Sequence, residues 1–98
     1  LEAQKAIVEK MVEKYNAAVK AVHETNDQAY TDFMARHLVE MAGDVVMSYL
    51  LLTDSTRYES DSLKRSAKVY VNLAAADIEK HSAFISTVTP GEMPLYKA

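Results

Sequence analysis

The sequence predicts an all-α fold, an up-down-up antiparallel bundle of three long helices. Only two glycines and two prolines occur in 98 residues, too few for a turn-rich β architecture. Three segments of roughly 22 to 28 residues carry apolar side chains at three- and four-residue steps, the helical period. Short polar stretches separate them, and short connections set neighbouring helices side by side and antiparallel. A fourth helix, from a missing segment or a partner subunit, would complete such a bundle.

The first helix is expected over residues 3–24. Ile7, Val8, Met11, Val12, Tyr15, Ala18, Val19 and Val22 form one stripe, and Lys5, Glu9, Lys10, Glu13, Lys14 and Lys20 form a solvated face. Thr25-Asn26-Asp27-Gln28 interrupts the pattern. Thr25 with Gln28 fits a capping box, and Asp27 suits the positive end of a helix dipole. One helix continuing through residue 52 is disfavoured, because Thr-Asn-Asp propagates a helix poorly.

The second helix is expected over 27–55. Tyr30, Phe33, Met34, Leu38, Met41, Ala42, Val45, Val46, Tyr49, Leu50 and Leu52 cover more than one stripe. Such a helix is either central or covered by something outside the sequence. Ser60 or Asp61 is the expected N-cap of the third helix, over 62–87. Its inner face carries Leu63, Ala67, Tyr70, Leu73, Ala74, Ile78, His81, Phe84, Ile85 and Val88, and Thr89-Pro90-Gly91 stops it. Residues 1–89 thus form one bundle domain, with a tail at 90–98.

Composition narrows the function classes. The formal net charge is −3, and acids and bases interleave without the basic cluster that nucleic acid selects. Cysteine is absent, which excludes disulfides and thiolate chemistry. The apolar run from Val45 to Leu52 is too short to cross a membrane and contains Ser48. No signal-peptide layout opens the chain, and a cytoplasmic location is expected, although for a piece of a longer polypeptide the missing signal says little about its parent. The chain starts at Leu1 rather than methionine, as a piece of a longer polypeptide would.

Gly43-Asp44 lies in the most apolar helix. If the second loop turns near residue 58, Gly43 comes level with Leu73. Gly43 would then meet Ala74 and Ala75 where small side chains let two helix axes approach closely. Asp44 shares a mildly polar strip with Glu40 and Ser48 and is expected to point outward or to pair with a lysine. Asp77 and His81, four residues apart, share a helix face, and the register brings Arg36 and His37 near them. A polar cluster of Arg36, Asp77 and His81 is expected to be an inter-helical ion pair or hydrogen bond, with no metal and no catalytic role. No HExxH or ExxH pair, serine elbow or glycine-rich phosphate loop is present.

The stretch ARHLVEMAGDVVMSYLLLTDSTRY, followed by SLKRSAKVYVNLAAADIEKHSAFI, resembles the C-terminal helical extension of certain bacterial acyl-CoA dehydrogenase family proteins. The resemblance covers about residues 33–86. It rests on the small residue Gly43 within Met41 to Val46, the bulky run Tyr49 to Leu52, and the alanine-rich Lys68 to Ala76 leading to Phe84. It implies a parent enzyme that uses FAD to oxidise acyl-CoA thioesters, with the catalytic glutamate and the flavin outside this chain. It also implies a non-catalytic bundle that packs on the catalytic core or joins a homo-oligomer. An independent helical interaction module, seating a partner helix on Val46, Leu50 and Leu51, is the alternative.

Overall fold

A computed structural model describes residues 2–58 and 60–97; Leu1, Glu59 and Ala98, within the expected bundle and tail, lie outside the described residues. Three long helices, α1 (Glu2–Glu24), α2 (Gln28–Tyr58) and α3 (Asp61–Thr87), pack on one another, and a single turn, α4 (Pro94–Lys97), follows. No strand occurs among the described residues.

The α1–α2 turn is built differently from a capping box. Asn26 adopts a left-handed backbone (φ 51°), and the backbone N–H groups of Thr25 and Asn26 donate to Val22 and His23 carbonyls left over at the end of α1. Asp27 is the cap. Its Oδ1 accepts from the Tyr30 backbone N–H at 3.1 Å, while the Gln28 amide donates forward to Asp32. At the second turn the Ser60 hydroxyl accepts from the Leu63 N–H at 3.3 Å, and α2 runs on to Tyr58.

Buried positions recur at three-, four- or seven-residue steps along the helices. They are Gln4, Val8, Met11, Ala18 and Val22 in α1, and Tyr30, Met34, Met41, Ser48 and Ser55 in α2. In α3 they are Ala67, Val71, Ala74, Ile78, His81 and Ile85. This heptad-like spacing is that of a coiled-coil seam, where each apolar knob enters a gap on the facing helix. Tyr30 closes one end of the bundle: its hydroxyl donates to the Val88 carbonyl at 2.6 Å, with the Ile85 carbonyl 3.3 Å away. Ile85 and Val88 belong to the same buried cluster as Met34 and Ile78.

The molecule measures 49 × 24 × 17 Å, an elongated plate. A plate of three helices covers only part of α2, and Val39, Val46, Met47, Tyr49 and Leu50 are left in solvent, Val39 at 70% exposure. Val69 and Leu73 on α3 are likewise exposed.

Gly43 requires a correction. It is exposed, and a Cβ added to it would meet nothing within 4 Å. The estimated register was close, since Phe33 packs near Phe84 and His37 near His81. The facing was wrong: Gly43 lies about 200° around the helix from buried Met41, on the outer stripe with Val39, Val46 and Leu50. Ala74 is buried and Ala75 packs at the edge of the core, and the small residues that α2 buries are Ser48 and Ser55 rather than Gly43. Leu73, expected inside, is 67% exposed for the same azimuthal reason.

Candidate functional site

The polar seam between α2 and α3 gathers most of the chain's buried titratable chemistry. On α3, Asp77 and His81 sit one turn apart and face α2; on α2, His37, Glu40 and Asp44 follow at three- and four-residue steps. His81 is 3% exposed and sits at an inner heptad position that an apolar residue would normally fill. Its Nδ1 lies 2.7 Å from His37 Nδ1. Its Nε2 lies 2.9 Å from Glu40 Oε2 and 3.3 Å from Asp77 Oδ2. Neither of these last contacts has the in-line geometry of an N–H···O hydrogen bond, so Nε2 is a buried nitrogen without a hydrogen-bond partner among the described residues.

His37 is half-buried and stacks on Phe84, with ring centroids 4.4 Å apart and planes at 24°. Burial, and then the neighbouring His81, hold its imidazole below the usual range, which keeps it neutral at pH 7. A neutral His37 donates or accepts one hydrogen bond at Nδ1, and His81 takes the opposite role.

Asp44 turns inward. It neither points outward nor pairs with a lysine; its side chain meets Asp77 across the seam. Burial, the hydrogen bond with Asp77 and the negative charges of Asp77 and Glu40 push its carboxyl up to about 7. Asp77 is held below its ordinary value by the same hydrogen bond and by Lys80, whose Nζ is 3.1 Å away. The two acids share one proton near neutral pH, with Asp44 as donor and Asp77 as acceptor. Tyr70, beside both, is raised by burial and by the charges of Asp44 and Asp77.

Of the predicted cluster, Asp77 and His81 come together, but Arg36 stays outside. Its side chain is 87% exposed and it bonds Glu40 at 3.3 Å, one turn along α2. Glu40, expected only as a neighbour of Asp44 on a polar strip, takes the place expected for Arg36 against His81. The spacing signal was present: Glu40 lies four residues before Asp44 and three after His37, on the face turned to α3. Glu40, Asp77 and His81 each offer a ligand atom, and those three atoms lie within 4.8 Å of one another.

The residues present do not fit a flavin. Dinucleotide phosphates are held by backbone N–H groups at a glycine-rich turn that opens a helix. Gly43 is inside α2, with its N–H in the helix ladder, and Gly91 lies in the turn before the four-residue α4. A cavity of about 680 Å³ between α1 and the end of α2 is lined by Glu2, Lys5, Tyr49, Leu52, Thr53 and Arg57, without either glycine.

A family model described as acyl-CoA dehydrogenase C terminal matches residues 1–93, well beyond the 33–86 segment that carries the resemblance. The crystal structure of an acyl-CoA dehydrogenase family protein from Porphyromonas gingivalis is similar to this chain. It superposes with a TM-score of 0.83 at 32% identity, over 92% of this chain and 76% of that one. A comparison with curated proteins found no match.

Proposed function

We propose, from the premise that this chain belongs to the acyl-CoA dehydrogenase C-terminal family, that it is a non-catalytic helical domain docking on the catalytic core of a flavin-dependent acyl-CoA oxidoreductase. The observation that carries this reading is the apolar outer stripe of α2. Val39, Val46 and Leu50 stand exposed at seven- and four-residue steps, the spacing with which one helix seats against another. Gly43 interrupts the stripe with open space above its backbone. Exposed apolar residues standing singly need no explanation, but a stripe along one helix, extended by Met47 beside it, marks an interaction surface. FAD and the acyl-CoA thioester belong to the core in this reading. The domain contributes helix packing, at the core surface or between subunits of a homo-oligomer.

The test mixes this chain with the separately expressed core of its parent and measures binding by calorimetry. The purified chain is expected to be colourless and to bind the core. The double variant Val46→Glu, Leu50→Glu should bind at least tenfold more weakly while circular dichroism shows unchanged helix content. A yellow, flavin-loaded chain, or equal core binding by the variant, overturns the reading. Concentration-dependent dimerisation of the isolated chain, lost in the same variant, would assign the stripe to a second copy instead of the core.

A further inference from the structure

The unpartnered nitrogen of His81 points at two carboxylates. If His81 Nδ1 carries the proton and donates to His37, the Nε2 lone pair faces Glu40 and Asp77, and three electron-rich atoms converge with no proton between them. If Nε2 carries the proton, its N–H lies off the line to either oxygen. The seam also holds a third carboxyl, Asp44, whose Oδ2 is buried without a hydrogen-bond partner among the described residues. The nearby cations Arg36 and Lys80 are largely exposed and bind Glu40 and Asp77 from the solvent side. A compact cation between the three ligand atoms would resolve both the orphaned nitrogen and the concentration of negative charge.

We propose that Glu40, Asp77 and His81 form a binding site for one divalent transition-metal ion of the zinc class, clamping α2 to α3. One imidazole and two carboxylates suit zinc, manganese, iron or cobalt better than the all-oxygen shells of calcium and magnesium. Tetrahedral sites with bonds of about 2.0–2.2 Å have ligand–ligand edges of roughly 3.3–3.6 Å. His81 Nε2 stands 3.3 Å from Asp77 Oδ2 and 2.9 Å from Glu40 Oε2, so a short swing of the 42%-exposed Glu40 side chain lengthens the shorter of these two edges. Asp77 and His81 are one helical turn apart, which presents two ligands on one face, and Glu40 supplies the third from across the seam. His37 fixes the ring of His81 through Nδ1, the kind of second bond that orients a metal-ligating imidazole. The fourth position is left to water. On α2, Glu40 lies about 100° around the helix from Val39, at the edge of the docking stripe.

The test uses the full chain stripped with chelator and then dialysed. Titration with Co²⁺ should saturate at one equivalent and give a visible d–d absorption band. Zn²⁺ at a hundredfold excess over its Kd should raise Tm by about 10 °C or more, and Mg²⁺ should not. Glu40→Gln, at a partly exposed position that leaves the core intact, should weaken Co²⁺ binding at least tenfold, as should Asp77→Asn. His23→Asn, at an exposed site on α1, should change nothing. Absence of both the band and the Zn²⁺ shift in a chain that circular dichroism shows to be folded overturns the proposal. So does binding that survives Glu40→Gln and Asp77→Asn, or a Mg²⁺ shift equal to that of Zn²⁺.

Discussion

Replacing Asp44 by asparagine tests the shared-proton reading of the α2–α3 seam, because the amide is a permanent neutral donor to Asp77. In the native chain the Asp44 carboxyl is raised from 3.8 to about 7. The folded state therefore holds a proton that the unfolded state has lost, and between these two values stability falls as pH rises. The stabilising contribution is fully present below about pH 4 and is gone above the folded value. Asp77, lowered by the same bond, contributes oppositely, losing stability only as pH falls below its ordinary range. A shift of about three units corresponds to about 4 kcal/mol at 1.36 kcal/mol per unit. Partial solvent access at Asp44 and the exposed Lys80 beside Asp77 screen this to roughly 1–2 kcal/mol. Urea denaturation in chelator, which keeps cations out of the seam, reads the effect directly. Asp44→Asn should match the native chain at about pH 4, pull ahead of it as pH rises, and exceed it by roughly 1–2 kcal/mol at pH 8, a Tm gain of about 5–10 °C. Other titrating groups, His37 included, cancel in the difference. A variant less stable than the native chain at pH 8, or a difference that does not change with pH, would refute the shared proton.

Three further substitutions follow from the packing. Gly43→Ala adds a methyl group that meets nothing within 4 Å and removes a helix-interior glycine, so the isolated chain should gain about 1 kcal/mol by thermal denaturation; a loss would show that the position is crowded. Ser48 is fully buried and its hydroxyl has no hydrogen-bond partner among the described residues, so Ser48→Ala should be neutral or stabilise by up to about 1 kcal/mol. A penalty above that would reveal an acceptor for the hydroxyl. Tyr30→Phe keeps the buried ring but strips the Val88 and Ile85 carbonyls of their donor, at a cost of about 1–2 kcal/mol in urea melts. An unchanged midpoint would show that water takes over the bond.

How far the sequence was legible differs from residue to residue. Periodicity located the helices, because burial of one stripe is what makes a helix of this length stable. The Ser60 cap was readable from its residue type. Periodicity in α2 failed to choose the buried stripe, since apolar residues surround that helix; the two serines at inner heptad positions, Ser48 and Ser55, look polar in sequence and are fully buried in the structure. That ambiguity sent Gly43 to the wrong side. At the seam, residue type drew Arg36 toward two acidic or basic partners on α3, whereas heptad position selects Glu40 and leaves Arg36 in water. Asp44 was misjudged because a carboxyl facing another carboxyl is unfavourable when both are charged, and only three-dimensional proximity shows that one proton relieves it.

The Tyr30 hydroxyl joins groups 55 and 58 residues apart, at the closed end of the bundle where the chain passes from α1 into α2 and out of α3. A bond spanning that distance needs the whole α2–α3 hairpin in place before it can form, and closing so large a loop cannot precede the local α2–α3 pairing. It therefore acts as a latch on an already assembled bundle. Its loss is expected to leave the refolding arm of a chevron plot almost unmoved and to steepen the escape from the native state, placing this tyrosine among the residues that govern how long the domain stays folded rather than how fast it gets there.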